Sequence, residues 1–441
     1  MIRPLLDRPL YVMLKPVGSR CNLACQYCYY QDKGTALLSE ELLETFTRQY
    51  LEAQVVPQVL FTWHGGEPLL RSLSFYKKAL ALQRRYARGR HIDNCLQTNG
   101  TLLTDEWCEF LRENNFLVGI SIDGPQALHD TYRRTKPPVA PASPVAPASP
   151  DVPLVPSVPL VPSDPLVPSV PLVPEVPDNP SPRHVSSHVS RITPHDKTSP
   201  SWDLVMRGIA LLKKHGVQWN AMATVNAANV AHPKAFYRFF LDLGCEFLQF
   251  TPVVSRFEIG RGYPRTPVPP TSLTPHQWGH FLCTLYDEWV RNDVRRMVVQ
   301  LFDATLANWI GVPPSLCSMA PTCGQAAVME ADGSVYSCDH FVFPEYRLGN
   351  IREHTITQLL YSERQRQFGL AKRDALTRQC RECPFLFACH GECPKNRFVT
   401  DCYGNPGHNY LCAGYRQFFA HLAADPYWAE LQTMVKRTLR P

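Results

Sequence analysis

Cys21-Asn22-Leu23-Ala24-Cys25-Gln26-Tyr27-Cys28 is the stretch from which the rest of the chain can be read. Three thiols spaced C-x3-C-x2-C can take three corners of a cubane iron–sulfur cluster and leave the fourth iron without a protein ligand, open to a substrate. A zinc site normally recruits four ligands, and a structural zinc ribbon pairs one C-x2-C with a second close by. Neither pattern follows here. Residues 10–15 (LYVMLK) read as a short strand that delivers the cysteine loop.

Outward from that loop the chain alternates strand, loop and helix. Ser39 reads as the cap of a helix with Leu42, Leu43, Phe46 and Tyr50 on one face. The apolar, β-prone run 58–63 (QVLFTW) ends at Gly65-Gly66, where only a residue without a side chain lets backbone approach a ligand closely. Helix 73–88, strand 92–97, helix 104–114 and strand 116–122 follow. After an interruption come a helix capped by Ser201, strand 217–225, helix 233–243, strand 247–253 and helix 277–291. Six such units predict an α/β fold, a parallel sheet closed part-way into a (β/α)6 barrel, with its site on the loops at the C-terminal ends of the strands. The cysteine loop and the Gly65-Gly66 turn both fall at that edge.

C-x3-C-x-Y-C directly after a strand resembles the radical S-adenosylmethionine (SAM) superfamily, in which the open iron chelates SAM and reductive cleavage gives a 5′-deoxyadenosyl radical. His64-Gly65-Gly66-Glu67-Pro68 is similar to the superfamily's GGEP motif, which meets the SAM amino group. The resemblance assigns SAM binding to Gly65, Gly66 and Glu67, and also to Tyr27, Ser121, Arg133 and the backbone near Val254. A hydroxyl at Ser121 suits ribose or carboxylate, and a guanidinium at Arg133 forks onto a carboxylate. Asp123-Gly124 reads equally well as a plain turn. His64 and His232 read as packing or surface histidines rather than ligands.

Composition narrows the class. With 441 residues the chain can bury a sizeable core in two domains. A net charge of +6 with scattered basic residues gives no case for nucleic acid. No run of apolar residues is long enough for a membrane span, and the first residues lack the continuous apolar core of a signal peptide. The 16 cysteines therefore read as reduced cytoplasmic thiols serving metals. Many of the 41 prolines crowd into 137–182, where VAPASP and VPLVPS repeat. Proline at about every third residue prevents helix and removes ladder donors, so 136–197 is expected to be an extended or disordered insertion between two barrel units. The expected organisation is a barrel over 1–135 and 198–295, split by that insertion, and a cysteine-rich domain over 296–441.

In that last domain Cys317, Cys323 and Cys338 are followed by Cys380, Cys383, Cys389, Cys393 and Cys412. Eight thiols make two sets of four, enough for two fully ligated cubanes; two zinc sites are the alternative on spacing alone. Cys95, Cys108, Cys245 and Cys283 read as small buried hydrophobes, and Cys402 competes with Cys412 for the last ligand place. Over nearly all of the chain outside the insertion the sequence resembles the anaerobic sulfatase-maturating enzymes, radical SAM proteins with a C-terminal twin-cluster (SPASM) domain. The resemblance implies interleaved sets: Cys317, Cys323, Cys338 and Cys393 on one auxiliary cluster, and Cys380, Cys383, Cys389 and Cys412 on the other. It implies three [4Fe-4S] clusters and SAM as cofactors, Asp339 as catalytic base, a sulfatase polypeptide as substrate, and a flavodoxin- or ferredoxin-type electron donor. The expected reaction is oxidation of a cysteine or serine to Cα-formylglycine. Other expectations from the same residues are a different peptide-modifying SPASM enzyme, such as a thioether-forming one, and a non-catalytic iron–sulfur electron carrier.

Overall fold

The computed structural model describes residues 10–136, 200–255 and 271–438. The expected proline-rich insertion and most of the connection after residue 255 lie outside these residues. Strands β1 (Tyr11–Leu14), β2 (Gln58–Trp63), β3 (His91–Thr98), β4 (Phe116–Ser121), β5 (Trp219–Val225), β6 (Phe247–Pro252) and the two-residue β7 (Val298–Val299) pair in sequence order, every pair parallel. Between them lie α1 (Glu40–Ala53), α2 (Leu73–Tyr86), α3 (Asp105–Glu113), α4 (Gln126–His129), α5 (Trp202–His215), α6 (Pro233–Asp242) and α7 (Pro275–Asn292). This is the expected run of strand–helix units, so all the loops that follow β1 to β6 open on one edge of the sheet.

Local sequence explains these elements. In β2 the alternation sends Val59, Phe61 and Trp63 inward, at 2%, 0% and 0% exposure, and burying side chains of this size contributes roughly 2–3 kcal/mol each. Ser39 caps α1 by accepting from the Leu42 N–H, as expected. Ser201 precedes α5 but does not cap it with its side chain. Its hydroxyl donates instead to the Arg133 carbonyl (2.9 Å), and Asp130 Oδ1 accepts from the N–H groups of Ser201 (2.9 Å) and Trp202 (3.0 Å). A carboxylate from the preceding segment outcompetes the local hydroxyl, and with the Arg134–Pro200 bridge it holds residues 130–135 against 200–202.

The C-terminal part joins the same sheet. β8 (Ala326–Met329) pairs parallel with β1 on the side away from β2, and β9 (Ser334–Tyr336) and β10 (Arg347–Asn350) continue antiparallel, giving ten strands in the order β10-β9-β8-β1-β2-β3-β4-β5-β6-β7. A separate hairpin, β11 (Arg397–Thr400) and β12 (Pro406–Asn409), carries the later cysteine loops. Cys108 and Cys245 are buried as expected, while Cys95 and Cys283 are only partly buried. Among the described residues no helix is long and apolar enough to cross a membrane.

Candidate active site

The cysteine loop leaves β1 through Lys15-Pro16 and is shaped by pairing with the end of the β4–α5 connection. Ala24 N–H donates to Arg134 O (2.8 Å), Gln26 N–H to Tyr132 O (3.0 Å) and Lys136 N–H to Asn22 O (3.0 Å), with an antiparallel bridge between Leu23 and Thr135. From the end of β3, Asn99 Nδ2 reaches Cys21 Sγ (3.7 Å) and Asn22 Oδ1 (2.9 Å). Burial pushes the Cys21 thiol up to about 11 and the Cys25 thiol up to about 12. Such thiols ionise at neutral pH only against a strong positive centre, which is what metal ligation provides. Three cysteines on one short loop supply thiolates alone, and a cubane takes each on a different iron, so the donor set fits a cluster.

The Gly65-Gly66 turn packs against this loop. A Cβ on Gly66 would stand 1.9 Å from the Arg20 carbonyl oxygen, so only glycine fits. Glu67 is fully buried and spends its carboxylate on the chain itself, accepting from Leu69 N–H (2.9 Å), Thr98 Oγ1 (2.7 Å) and Asn99 N–H (2.8 Å). Burial raises its pKa to about 7 against those three donors. Ser121 ends β4 and accepts from Gln97 Nε2 (3.0 Å); Val254 follows β6 and packs on the core.

Arg133 is forked, but onto Asp123. Nε lies 3.0 Å from Oδ2 and Nη2 3.2 Å from Oδ1, while Thr224 donates its N–H and hydroxyl to Oδ1 (both 2.9 Å) and the Tyr27 hydroxyl donates to Oδ2. Burial is the largest influence and works to raise the Asp123 carboxyl, but the Arg133 charge, His129 and the bonds from Arg133 and Tyr27 together hold it below the usual carboxylate range. The turn signal at Asp123-Gly124 concealed this buried ion pair, and only a partner such as Arg133 could have suggested it.

Asp339 follows Cys338 and meets the first loop across the β1–β8 seam. Lys15 Nζ, fully buried, lies 2.5 Å from Asp339 Oδ1 and 3.0 Å from His64 Nδ1, and the Tyr29 hydroxyl donates to Oδ2. His64 also accepts from the Gly65 N–H (2.7 Å), and burial, then the Lys15 charge, lower its pKa to about 3. Asp339 is 16% exposed. Burial works to raise it, and Lys15, His64 and His340 together draw it well below the usual range. Lys15, a strand-end lysine, carried no local signal of this role.

The eight C-terminal thiols fall into two neighbourhoods. Cys338 senses Cys393 and Cys317, and Cys323 senses Cys317. Cys389 senses Cys412 and Cys380, and Cys412 senses Cys380 and Cys383, with exposed Cys402 as a weaker neighbour. Burial is the largest influence raising Cys317, Cys323, Cys338, Cys389, Cys393 and Cys412, as it is for Cys21 and Cys25.

The radical SAM superfamily pattern matches residues 16–141 and the SPASM iron–sulfur cluster-binding domain matches residues 317–384. A serine-type anaerobic sulfatase-maturating enzyme of Bacteroides thetaiotaomicron is 50% identical over 436 residues, covering 95% of this chain and 90% of that protein. A cysteine-type enzyme of Clostridium perfringens is 28% identical over 423 residues, covering 94% and 96%. The solved structure of native anSMEcpe with bound AdoMet and Cp18Cys peptide superposes with a TM-score of 0.75 at 27% identity, covering 97% of this chain and all of that one. With SAM and iron–sulfur clusters as its cofactors, the chain belongs to the anaerobic sulfatase-maturating enzymes, radical SAM proteins with a SPASM domain.

Proposed function

We propose that the protein oxidises Cβ of a cysteine or serine in a sulfatase polypeptide, giving Cα-formylglycine, with Asp339 as the base. The observation that carries this reading is the setting of Asp339, a partly exposed carboxylate fixed between Lys15 and Tyr29 beside Cys338. Cys21, Cys25 and Cys28 would hold the SAM cluster, and Tyr27, Gly65, Gly66, Ser121, Arg133 and Val254 would surround SAM. Glu67, which accepts from the Leu69 and Asn99 N–H groups and the Thr98 hydroxyl, would shape the turn that meets SAM. Cys317, Cys323, Cys338 and Cys393 would hold one auxiliary cluster, and Cys380, Cys383, Cys389 and Cys412 the other. When bound, the first cluster and SAM supply a radical that takes a hydrogen atom, and the auxiliary clusters supply an acceptor for one electron. A flavodoxin- or ferredoxin-type protein would reduce the first cluster.

Converting CH2–XH to CH=X releases a hydrogen atom, a proton and an electron, and the proton is the part that the chain's own groups must move. Loss of hydrogen from Cβ makes the remaining X–H proton far more acidic, so a weak base suffices. Asp339 is held ionised by Lys15, which leaves it free to accept that proton throughout the neutral range. Lys15 and Tyr29 fix its orientation. A serine product is the aldehyde directly; a cysteine product reaches it after water replaces sulfur. A relative named as serine-type and a solved neighbour holding a peptide named Cp18Cys both resemble this chain, so peptides of each type are the test. Mass spectrometry after anaerobic incubation with SAM and reductant should reveal the aldehyde. In Asp339→Asn, SAM cleavage should persist while peptide oxidation falls on the order of 10²-fold. Loss of both together would make Asp339 structural.

A further inference from the structure

One face of the helix Glu363–Asp374 carries Gln365, Gly369 and Lys372, spaced so that all three point the same way. Between them they hold three cysteine loops. Gln365 Nε2 donates to Gly324 O (3.1 Å) and Ser337 O (3.3 Å), the residues next to Cys323 and Cys338. Gly369 accepts from Cys323 N–H (3.0 Å), and a Cβ there would stand 2.7 Å from the Cys323 oxygen. Lys372, 1% exposed, spends its ammonium on three carbonyls of the turn that begins at Cys317: Cys317 O (2.8 Å), Ser318 O (2.8 Å) and Ala320 O (2.5 Å). The loop before Cys393 is tied to the same point, because Arg397 binds Lys372 O (2.6 Å), Gly391 O (2.8 Å) and His390 O (2.9 Å). The helix therefore gathers the loops of Cys317, Cys323, Cys338 and Cys393.

Among the described residues no carboxylate lies within ion-pair distance of Lys372 Nζ. An ammonium buried with only neutral hydrogen-bond partners is costly. The anionic groups facing it are the thiols of Cys323, Cys317 and Cys393 and, beyond ion-pair distance, the carboxylate of Glu392, which Asn396 and Asn409 already engage. Four thiolates on a four-iron core leave a net negative cluster, the missing partner for this cation.

We propose that Lys372 is the counter-charge of the auxiliary cluster held by Cys317, Cys323, Cys338 and Cys393, and that it raises that cluster's reduction potential. The inference rests on the reading that these cysteines hold a cluster. It makes Lys372 a positioning and tuning residue that suits the cluster to accept an electron.

The test is a redox titration, followed by electron paramagnetic resonance, of the full reconstituted chain with Lys372, Lys372→Arg, Lys372→Gln or Lys372→Met. An uncharged residue should lower one auxiliary potential by at least a tenfold change in the reduction equilibrium, which is 59 mV for one electron. Lys372→Arg should stay near the parent, and the other clusters should not move. A fully loaded uncharged variant with unchanged potentials overturns the proposal. If neither uncharged variant loads this cluster, Lys372→Arg decides: loading supports the counter-charge, and failure means that the shape of lysine, not its charge, is what the site needs. Failure of the underlying reading is visible separately, as a parent protein that holds iron for fewer than three clusters.

Discussion

The cysteine loop after β1 and the cysteines gathered around Lys372 present the same kind of ligand in opposite electrostatic settings. Beside Cys21 lies buried Glu67, and the Arg133 charge near Cys25 is already engaged by Asp123. Beneath Cys317 and Cys323 lies Lys372, with no carboxylate among the described residues within ion-pair distance and Glu392 further off. Cluster potentials follow net charge, hydrogen bonding and exposure. Negative surroundings favour a cluster that gives its electron away, as reductive SAM cleavage requires, and a nearby cation favours one that receives. On the proposal above, buried Glu67 would favour a cluster that gives its electron and buried Lys372 one that receives it.

The strongest way to break this comparison is to remove one side of it. Replacing Cys21, Cys25 and Cys28 together with alanine should abolish SAM cleavage and leave about two thirds of the iron, since the other two sets share no ligand with the first. Loss of nearly all iron would show that the regions are not independent.

A milder change sharpens the role of the acid. Glu67 is raised from 4.5 to about 7 in the folded chain. The folded state thus keeps a proton that the unfolded state has lost, so this contribution to stability is complete below about pH 4.5 and is lost as pH rises to about 7. Before cluster loading, chemical denaturation should show a loss of about 2 kcal/mol between about pH 5.5 and 7, with little change above. Glu67→Gln should flatten that slope. An unchanged slope would place the titration elsewhere.

The smallest effect is expected between the two regions. We propose that 136–197 is an insertion whose ends the Arg134–Pro200 bridge and the Asp130 bonds already hold together. Replacing 137–197 with a short Gly/Ser loop amounts to about three halvings of length and should change stability by less than about 2 kcal/mol. Peptide oxidation should survive. Normal SAM binding without peptide oxidation would instead give the segment a part in substrate recognition.

What the sequence disclosed and what it hid follow from range. The limits of β2 and the C-x3-C-x2-C loop were legible because period and spacing are local. The eight later thiols were legible as a count, while their division into two interleaved fours is what the family resemblance implies. The pairing of β1 with β8 was not legible, because parallel pairing between distant segments leaves no local pattern. Asp123 read as a turn because its partner Arg133 lies beyond α4. Nothing local marks Lys372, because a stripe of Gln365, Gly369 and Lys372 is polar by composition and only the carbonyls it meets reveal a buried face. The same reason hid Lys15, whose contacts come from three separate segments.

Strand β1 stands inside the sheet only because β8, encoded near the far end of the chain, closes its second side. A ribosome adding roughly 5–20 residues per second would leave that side of β1 open for on the order of 15–60 s after the strand emerges. An open edge is a template for unwanted pairing, and contacts between distant residues are slow to form. The seam that brings Asp339 to Lys15 is therefore among the last parts of the sheet to close, which leaves the nascent chain dependent on protection until the C-terminal strands arrive.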